Sequence, residues 1–317
     1  MGIYVSSPRH RTLAALTLIC LAGLPWLAQL LDQSFYVSFA SRVLIFALVA
    51  TSLNLVVGFG GMISFGHAAF FGAGAYSVAL LAKIGIVSAL LAWPLAAGIA
   101  AMLALLIGAV SLRTRGVYFI MITLAFAQMA FYLVVSFKSW GGDDGLALLH
   151  RSTLPGLNLK DDTSFYYLVL LLLALFLLGF DRLAHSRFGR VIQGIRENET
   201  RMEALGYPVF AYKLACFVIG GALAGLAGAL LVNQSGLASP SLLHWTQSGT
   251  LLVIIILGGV GSLYGGLIGA VLLLGCEELL VEVTPHWQIG LGLVLLAVVL
   301  WAPRGVTGLF ARRRSDE

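Results

Sequence analysis

Charge is what this sequence has least of. Lys, Arg, Asp and Glu make up 10% of its residues, where a soluble domain carries roughly a quarter. With 60% hydrophobic residues and a mean hydropathy of +0.97, the 317-residue chain has too little polar surface to face water on all sides, which excludes an ordinary soluble enzyme or binding module. No Lys-Ser/Thr pair follows its glycine-rich runs in a βαβ setting, so P-loop ATP hydrolysis is excluded as well. Cysteine is scarce: Cys20, Cys216 and Cys276 stand singly in apolar runs without CxxC or metal-ligand spacing, and read as small packing residues. Neither a metal nor a cofactor is expected. The spans carry no chain of acidic and basic residues of the kind proton relays need. Glu277, Glu278 and Glu282 cluster toward the end of one span, but without a His, Ser or Cys partner they make no general acid/base site, and an intramembrane enzyme finds no constellation to support it.

What is there, in quantity, is long apolar sequence. Apolar windows bounded by turn signals fall near 12–31, 40–58, 64–83, 86–111, 116–136, 164–181, 211–232, 246–258, 263–281 and 287–303, each read against the roughly 20 residues that span a bilayer. This predicts an all-α, polytopic integral membrane protein with about ten transmembrane helices in one domain over 1–317. The run at 12–31 is long for a signal-peptide core and lacks a clean cleavage site, so it counts as the first span. The window at 246–258 is short and reads as a broken or re-entrant segment. With ten spans, fourteen of the nineteen Lys and Arg residues fall on the side of the termini, so the positive-inside rule predicts both termini in the cytoplasm. The net charge of +5 is thus explained by topology, without aromatic interleaving or motif that would suggest nucleic acid.

That orientation makes 137–163 the longest extracytoplasmic loop, with Trp140-Gly141-Gly142-Asp143-Asp144-Gly145 suited to tight turns. It is either a solvated connector or a surface for an extracytoplasmic partner. Small residues four apart, at Ala68 and Gly72, Gly221 and Gly225, Ala224 and Gly228, and Gly261, Gly265 and Gly269, predict close helix contacts. Polar residues in or beside spans usually face protein or a water-filled cavity. Asn54, Ser64, His67, Thr123 and Gln128 are therefore candidates for lining a pathway, with Asn233 and Gln234 beside them.

The stretch 182–210 is the one strongly charged break in the apolar sequence. Phe188, Val191, Ile192, Ile195, Met202 and Leu205 recur at helical spacing between its charges, and Glu197 and Arg201 suit an i,i+4 pair. Asn198 fits the N-cap of a short helix reaching Leu205, with Gly206 and Pro208 to end it. Such a segment either lies on membrane lipid or docks in a protein groove; its glutamates favour docking.

Here a resemblance becomes specific. Phe188-Gly189-Arg190-Val191, Ile195-Arg196-Glu197-Asn198-Glu199, Glu203-Ala204-Leu205-Gly206 and Ala224-Gly225-Leu226-Ala227-Gly228 resemble the permease subunits of branched-chain amino acid ABC transporters, LivM type. The 54–76 segment, Leu112-Arg113-Thr114-Arg115-Gly116, Gly141-Gly142-Asp143-Asp144-Gly145 and Gly258-Gly259-Val260-Gly261-Ser262 agree with it, so the likeness covers about residues 40–303. It implies a permease of a binding-protein-dependent importer in a bacterial inner membrane. The partners implied are a second, LivH-like permease subunit, two cytoplasmic ABC ATPases that use the ATP, and a periplasmic substrate-binding protein. It also makes 182–210 the cytoplasmic coupling loop, with Arg196, Glu197, Glu199, Glu203, Ala204 and Gly206 as the ATPase-coupling candidates. The sequence has Glu-Ala-Leu-Gly where the broader importer pattern begins Glu-Ala-Ala. Related importers carry urea or short amides, and that alternative stands beside amino acids. A self-sufficient secondary carrier is the other alternative, and the lack of intramembrane charge pairs argues against it.

Overall fold

The structure is a computed structural model that describes residues 17, 21–26, 35–283, 286–302 and 305–310. Helices dominate it: α1 Phe35–Asn54 continued by a π turn Leu55–Phe59, α2 His67–Lys83, α3 Ala89–Ser111, α4 Val117–Ser136, α5 Asp162–His185, α6 Arg187–Glu197, α7 Glu199–Ala204, α8 Val209–Ser235, α9 Trp245–Gly258, α10 Gly265–Val283, α11 Trp287–Trp301 and α12 Val306–Phe310. Among the described residues, α1 with its π turn, α3, α4, α5 and α8 are each long and apolar enough to cross a membrane, and α9 and much of α11 are shorter apolar helices. The chain is thus an all-α, polytopic membrane protein. Most of the first expected span, with Cys20, lies outside the described residues.

The chain is arranged around α1. From Val43 to Asn54 every residue of it is buried, as expected of a helix apolar on all sides. It packs against α5, α8, α9 and α10. Such contacts gain nothing from the hydrophobic effect when lipid is the alternative, so close backbone approach has to supply the attraction. The glycines provide that approach. A methyl group at Gly228 would strike the Phe71 carbonyl oxygen, one at Gly74 the Gly225 carbonyl, and one at Gly221 the Ala104 methyl, so α8 lies directly on α2 and α3. Gly258 and Gly269 do the same between α9 and α10, against the Gly265 and Ile254 carbonyls. Gly72 differs from expectation: its neighbour is Leu243 in the 3-10 turn Pro240–Leu243 rather than another long helix.

At one end the 137–163 segment is fastened down along its length, rather than being a loose connector. Leu146–Ala147 pairs antiparallel with Leu237–Ala238. The Ser152 amide donates to Asn233 Oδ1 (2.7 Å), whose Nδ2 donates in turn to the Ala229 carbonyl (2.7 Å). Lys83 Nζ donates to the Ser139 carbonyl (2.9 Å), and Arg151 pairs with Asp162 (2.6 Å). Asp161 caps α5, accepting from the amides of Thr163 and Ser164; the Ser164 hydroxyl, foremost among its contacts, holds the Asp161 carboxyl below the usual carboxylate range. Because the folded pKa is lowered, this cap is fully present at neutral pH and is lost as the pH falls through that lowered value.

Overpacking of a tight core contact costs about 1–3 kcal/mol, so Gly228→Ala is expected to lower the melting temperature of the detergent-solubilised protein. Gly98→Ala, where an added methyl group meets nothing within 4 Å, should leave melting unchanged or raise it slightly, since alanine is the better helix former. Equal melting of the two variants would contradict the packing described.

Candidate functional site

The opposite end carries the charged stretch. Ser186 caps α6 by accepting from the Gly189 amide (3.1 Å). The helix stops at Asn198, whose backbone is extended (φ −155°, ψ 98°) and whose Oδ1 accepts from the Arg201 amide (2.9 Å) to start α7. Gly206, in the left-handed region at φ +84°, closes α7: its amide donates to the Glu203 carbonyl and the Tyr207 amide to that of Met202. The Asn198 cap and the Gly206 stop match the sequence expectation. The expected Glu197–Arg201 pair does not, because the break at Asn198 puts the two residues on different helices. Glu199 instead meets Lys213 Nζ (2.8 Å) and Arg115 Nη2 (3.3 Å), and Arg115 also reaches Glu203 (3.4 Å). Residue 115 lies between α3 and α4, so these pairs fasten α7 to that connection and to the start of α8.

Most of the apolar stripe faces the chain itself. Val191, Ile192 and Ile195 are buried, and Phe188 stacks on Tyr212 with ring centroids 5.5 Å apart. Leu205 is the exception, at 66% exposed, and it stands with exposed Ala204, Gly206 and Tyr207 at the tip beyond α7. Of the coupling candidates, Glu197, Glu203, Ala204 and Gly206 are therefore at the surface, Glu199 is held by two cations, and Arg196 points inward.

Arg196 leads to the break between α1 and α2. Its Nη1 donates to the carbonyl oxygen of Gly58 in the π turn, and its side chain runs beside Gly61 and Gly261. Both glycines have positive φ, +68° and +79°, and any Cβ at Gly61 would sit 2.8 Å from Arg196 Cγ. Asn54 ties the same place from within. Its Oδ1 accepts from the Gly261 amide (2.9 Å) and its Nδ2 donates to the Ser262 carbonyl (2.6 Å). Thr307 of α12 donates to the Gly258 carbonyl (2.6 Å). The end of α1, the α9–α10 turn, α12 and the charged helix α6 thus meet at one point.

Three of the four remaining pathway candidates lie near the start of α2, and Gln128 lies further along α4. Ser64 accepts from the Gly66 amide (3.1 Å). Thr123 donates to the Ile120 carbonyl (2.9 Å) and accepts from the Phe65 amide (3.2 Å). His67 Nε2 is 2.8 Å from Ser52 Oγ, whose proton goes to the Val49 carbonyl; His67 therefore donates from Nε2 and keeps Nδ1 as an acceptor without a partner among the described residues. Asn54, Ser64, His67 and Thr123 are all fully buried, while Gln128 is half-buried with its Oε1 unpartnered among the described residues. The exposed residues here are Gly61 and Ile63. Sequence reasoning passed over Ser248, which donates to the Phe65 carbonyl (2.7 Å) and accepts from the Ala68 amide (2.8 Å). Ser248 sits among Thr246, Gln247 and Thr250 in the polar first turns of α9, and no spacing sets it apart from them.

The arrangement therefore consists of a surface tip, a charged helix pair and an arginine that reaches unwound backbone inside the membrane domain. The sequence profile of the family "branched-chain amino acid transport system / permease component" matches residues 35–301. The chain is 31% identical over 294 residues to the high-affinity branched-chain amino acid transport system permease protein LivM of Salmonella typhimurium, covering 85% of this chain and 69% of that protein, and the LivM of Escherichia coli K12 gives the same figures. A shorter likeness, 30% identity over 140 residues, joins it to the xylose transport system permease protein XylH of Escherichia coli K12, covering 42% of this chain and 36% of that one. No solved structure matches the chain significantly. The protein belongs to the branched-chain amino acid transport permease family and is of the LivM type.

Proposed function

We propose that the protein is a transmembrane permease subunit of an ABC importer for branched-chain amino acids in a bacterial inner membrane. It works with a second, LivH-like permease, two cytoplasmic ATPases that consume the ATP, and a periplasmic binding protein that delivers the substrate. The names of its LivM relatives support the substrate. The bias of Lys and Arg toward one side supports a cytoplasmic position for α6 and α7. Residues 182–210 are then the coupling loop and 137–163 the extracytoplasmic loop that meets the binding protein.

The observation that carries the coupling role is Arg196 on Gly58. In this reading the ATPase holds the tip formed by Glu203, Ala204, Leu205, Gly206 and Tyr207, and its closure displaces α6 and α7. Glu197 lies on the exposed side of α6, available to the ATPase, while Glu199 keeps α7 attached through Lys213 and Arg115. Arg196 carries the displacement to the π turn and the α9–α10 turn, so that ATPase closure shifts the membrane helices between inward- and outward-facing states.

Two experiments test this on the assembled transporter in vesicles. A hydrogen bond to a charged group is worth about 1.5–3 kcal/mol, or roughly a ten- to hundredfold effect. Arg196→Gln is expected to lower leucine uptake by about that factor while the complex assembles normally and hydrolyses ATP at its basal rate. Unchanged uptake, or a matching fall in ATPase recovery, would contradict the role given to Arg196. Separately, Leu205→Asp should reduce the ATPase that co-purifies with the permease without reducing membrane insertion; full recovery of the ATPase would remove the tip from the docking surface.

A further inference from the structure

The chain between α1 and α2 carries unpaired backbone well inside the membrane domain. Residues 60–66 belong to no helix. The Phe65 amide is bonded to Thr123, six residues into α4, and the Phe65 carbonyl to Ser248, ten residues before the end of α9. At 1.5 Å per helical residue these partners lie about 9 and 15 Å in from the coupling end. The Gly61 and Met62 amides return to the Val57 and Val56 carbonyls (both 3.1 Å). The amides of Ile63 and Ser64 and the carbonyls of residues 61–64 have no partner among the described residues. Exposure alternates along the segment, as in an extended strand: Met62 and Ser64 are buried, Gly61 is exposed, Ile63 is 47% exposed and Phe65 is half-buried.

Lipid cannot face such an edge, because an unsatisfied backbone group in hydrocarbon costs several kcal/mol. The edge therefore meets water or protein. Its fastenings favour water in a gated passage. One end is held to the coupling helix by Arg196 at Gly58 and Gly61, and the other to α4 and α9 by Thr123 and Ser248, so a movement of α6 together with the α9–α10 turn shifts the edge relative to α4. Contact with a static partner would need no such link.

We infer that the open edge of residues 61–65 lines the aqueous passage and binds the zwitterionic head of an α-amino acid in transit. At the exposed residues, the Ile63 amide suits the carboxylate and the Gly61 and Ile63 carbonyls the ammonium. Ile63, Phe65 and Trp245, whose ring lies 6.4 Å from that of Phe65 and is 38% exposed, suit an apolar side chain. The assignment replaces the buried polar side chains near it with main chain as the pathway lining, and it rests on the import reading above.

The test is thiol accessibility in the assembled transporter, with Ile63→Cys compared with the parent chain and its own cysteines. A membrane-impermeant cationic methanethiosulfonate is expected to modify Ile63→Cys at least tenfold faster than the parent, and saturating leucine to slow that reaction several-fold. Leu175→Cys, an exposed apolar position within α5, should react no faster than the parent. A rate at Ile63→Cys equal to the parent's, as burial against a partner subunit gives, overturns the inference; so does a reaction that leucine leaves unchanged, or equal reaction at Leu175→Cys. Phe65→Cys, tested in parallel, should follow Ile63→Cys more slowly, and unprotected labelling there counts against the inference as well. Leucine uptake by the parent vesicles is scored separately: uptake with an unreactive Ile63→Cys rejects the passage alone, whereas absent uptake rejects the import reading on which it rests.

Discussion

Three backbone groups freed where helices break have to be satisfied inside an apolar molecule, and two side chains do it. The Gly261 amide and Ser262 carbonyl, exposed where α9 gives way to α10, are taken by Asn54; the Gly58 carbonyl in the π turn is taken by Arg196. In hydrocarbon a free amide or carbonyl costs several kcal/mol, so a break in a transmembrane helix survives only where something replaces its ladder. Asn54 is the internal replacement and fixes α1 to the α9–α10 turn. Arg196 is the external one, and it joins a surface helix to the break. With Gly58 and Gly61 leaving no room for a Cβ and Gly261 held in a positive-φ conformation that side chains rarely adopt, the junction has little freedom to adapt.

The rest of the structure follows from holding that junction in place. Alpha-helix α1 can be buried on all sides because α8 and α10 approach it closely, and they do so through small residues that also bring α8 onto α2 and α9 onto α10. Far from the junction the 137–163 segment clamps α2, α3 and α8 through Ser139, Thr153 and Ser152. The charged pairs of α7 are partly exposed and individually weak. Their value is positional, since they orient the Leu205 tip relative to α8 while Arg196 faces the other way.

Much of the fold was legible because its signals are local. Apolar runs of span length, the Asn198 cap and the Gly206 stop depend on residues near one another in sequence, and among the described residues a helix lies in each of the nine spans read after the first. The small-residue stripes were legible as contacts, though not their partners: nothing in the sequence says that Gly72 meets Leu243. The site was read less completely for the same reason. Asn54 and Gly261 are 207 residues apart and Phe65 and Ser248 are 183 apart, and no spacing rule reaches them. A polar residue inside a span signals that it needs a partner, but the signal does not distinguish a pathway from a tie. The Glu197–Arg201 pairing failed through a one-residue break that the same stretch had already announced at Asn198.

In the proposed coupling, α6 and the α9–α10 turn move as one body, because Arg196 and Asn54 join both to the end of α1. Electron–electron distance spectroscopy between spin labels at the exposed positions Arg190 and Val260 measures this directly in the assembled transporter, without nucleotide and with ATP trapped. The expected result is a single distance distribution that stays in place between the two states while uptake by the labelled protein persists. A shift of several ångströms, or a second population in one state, would contradict it.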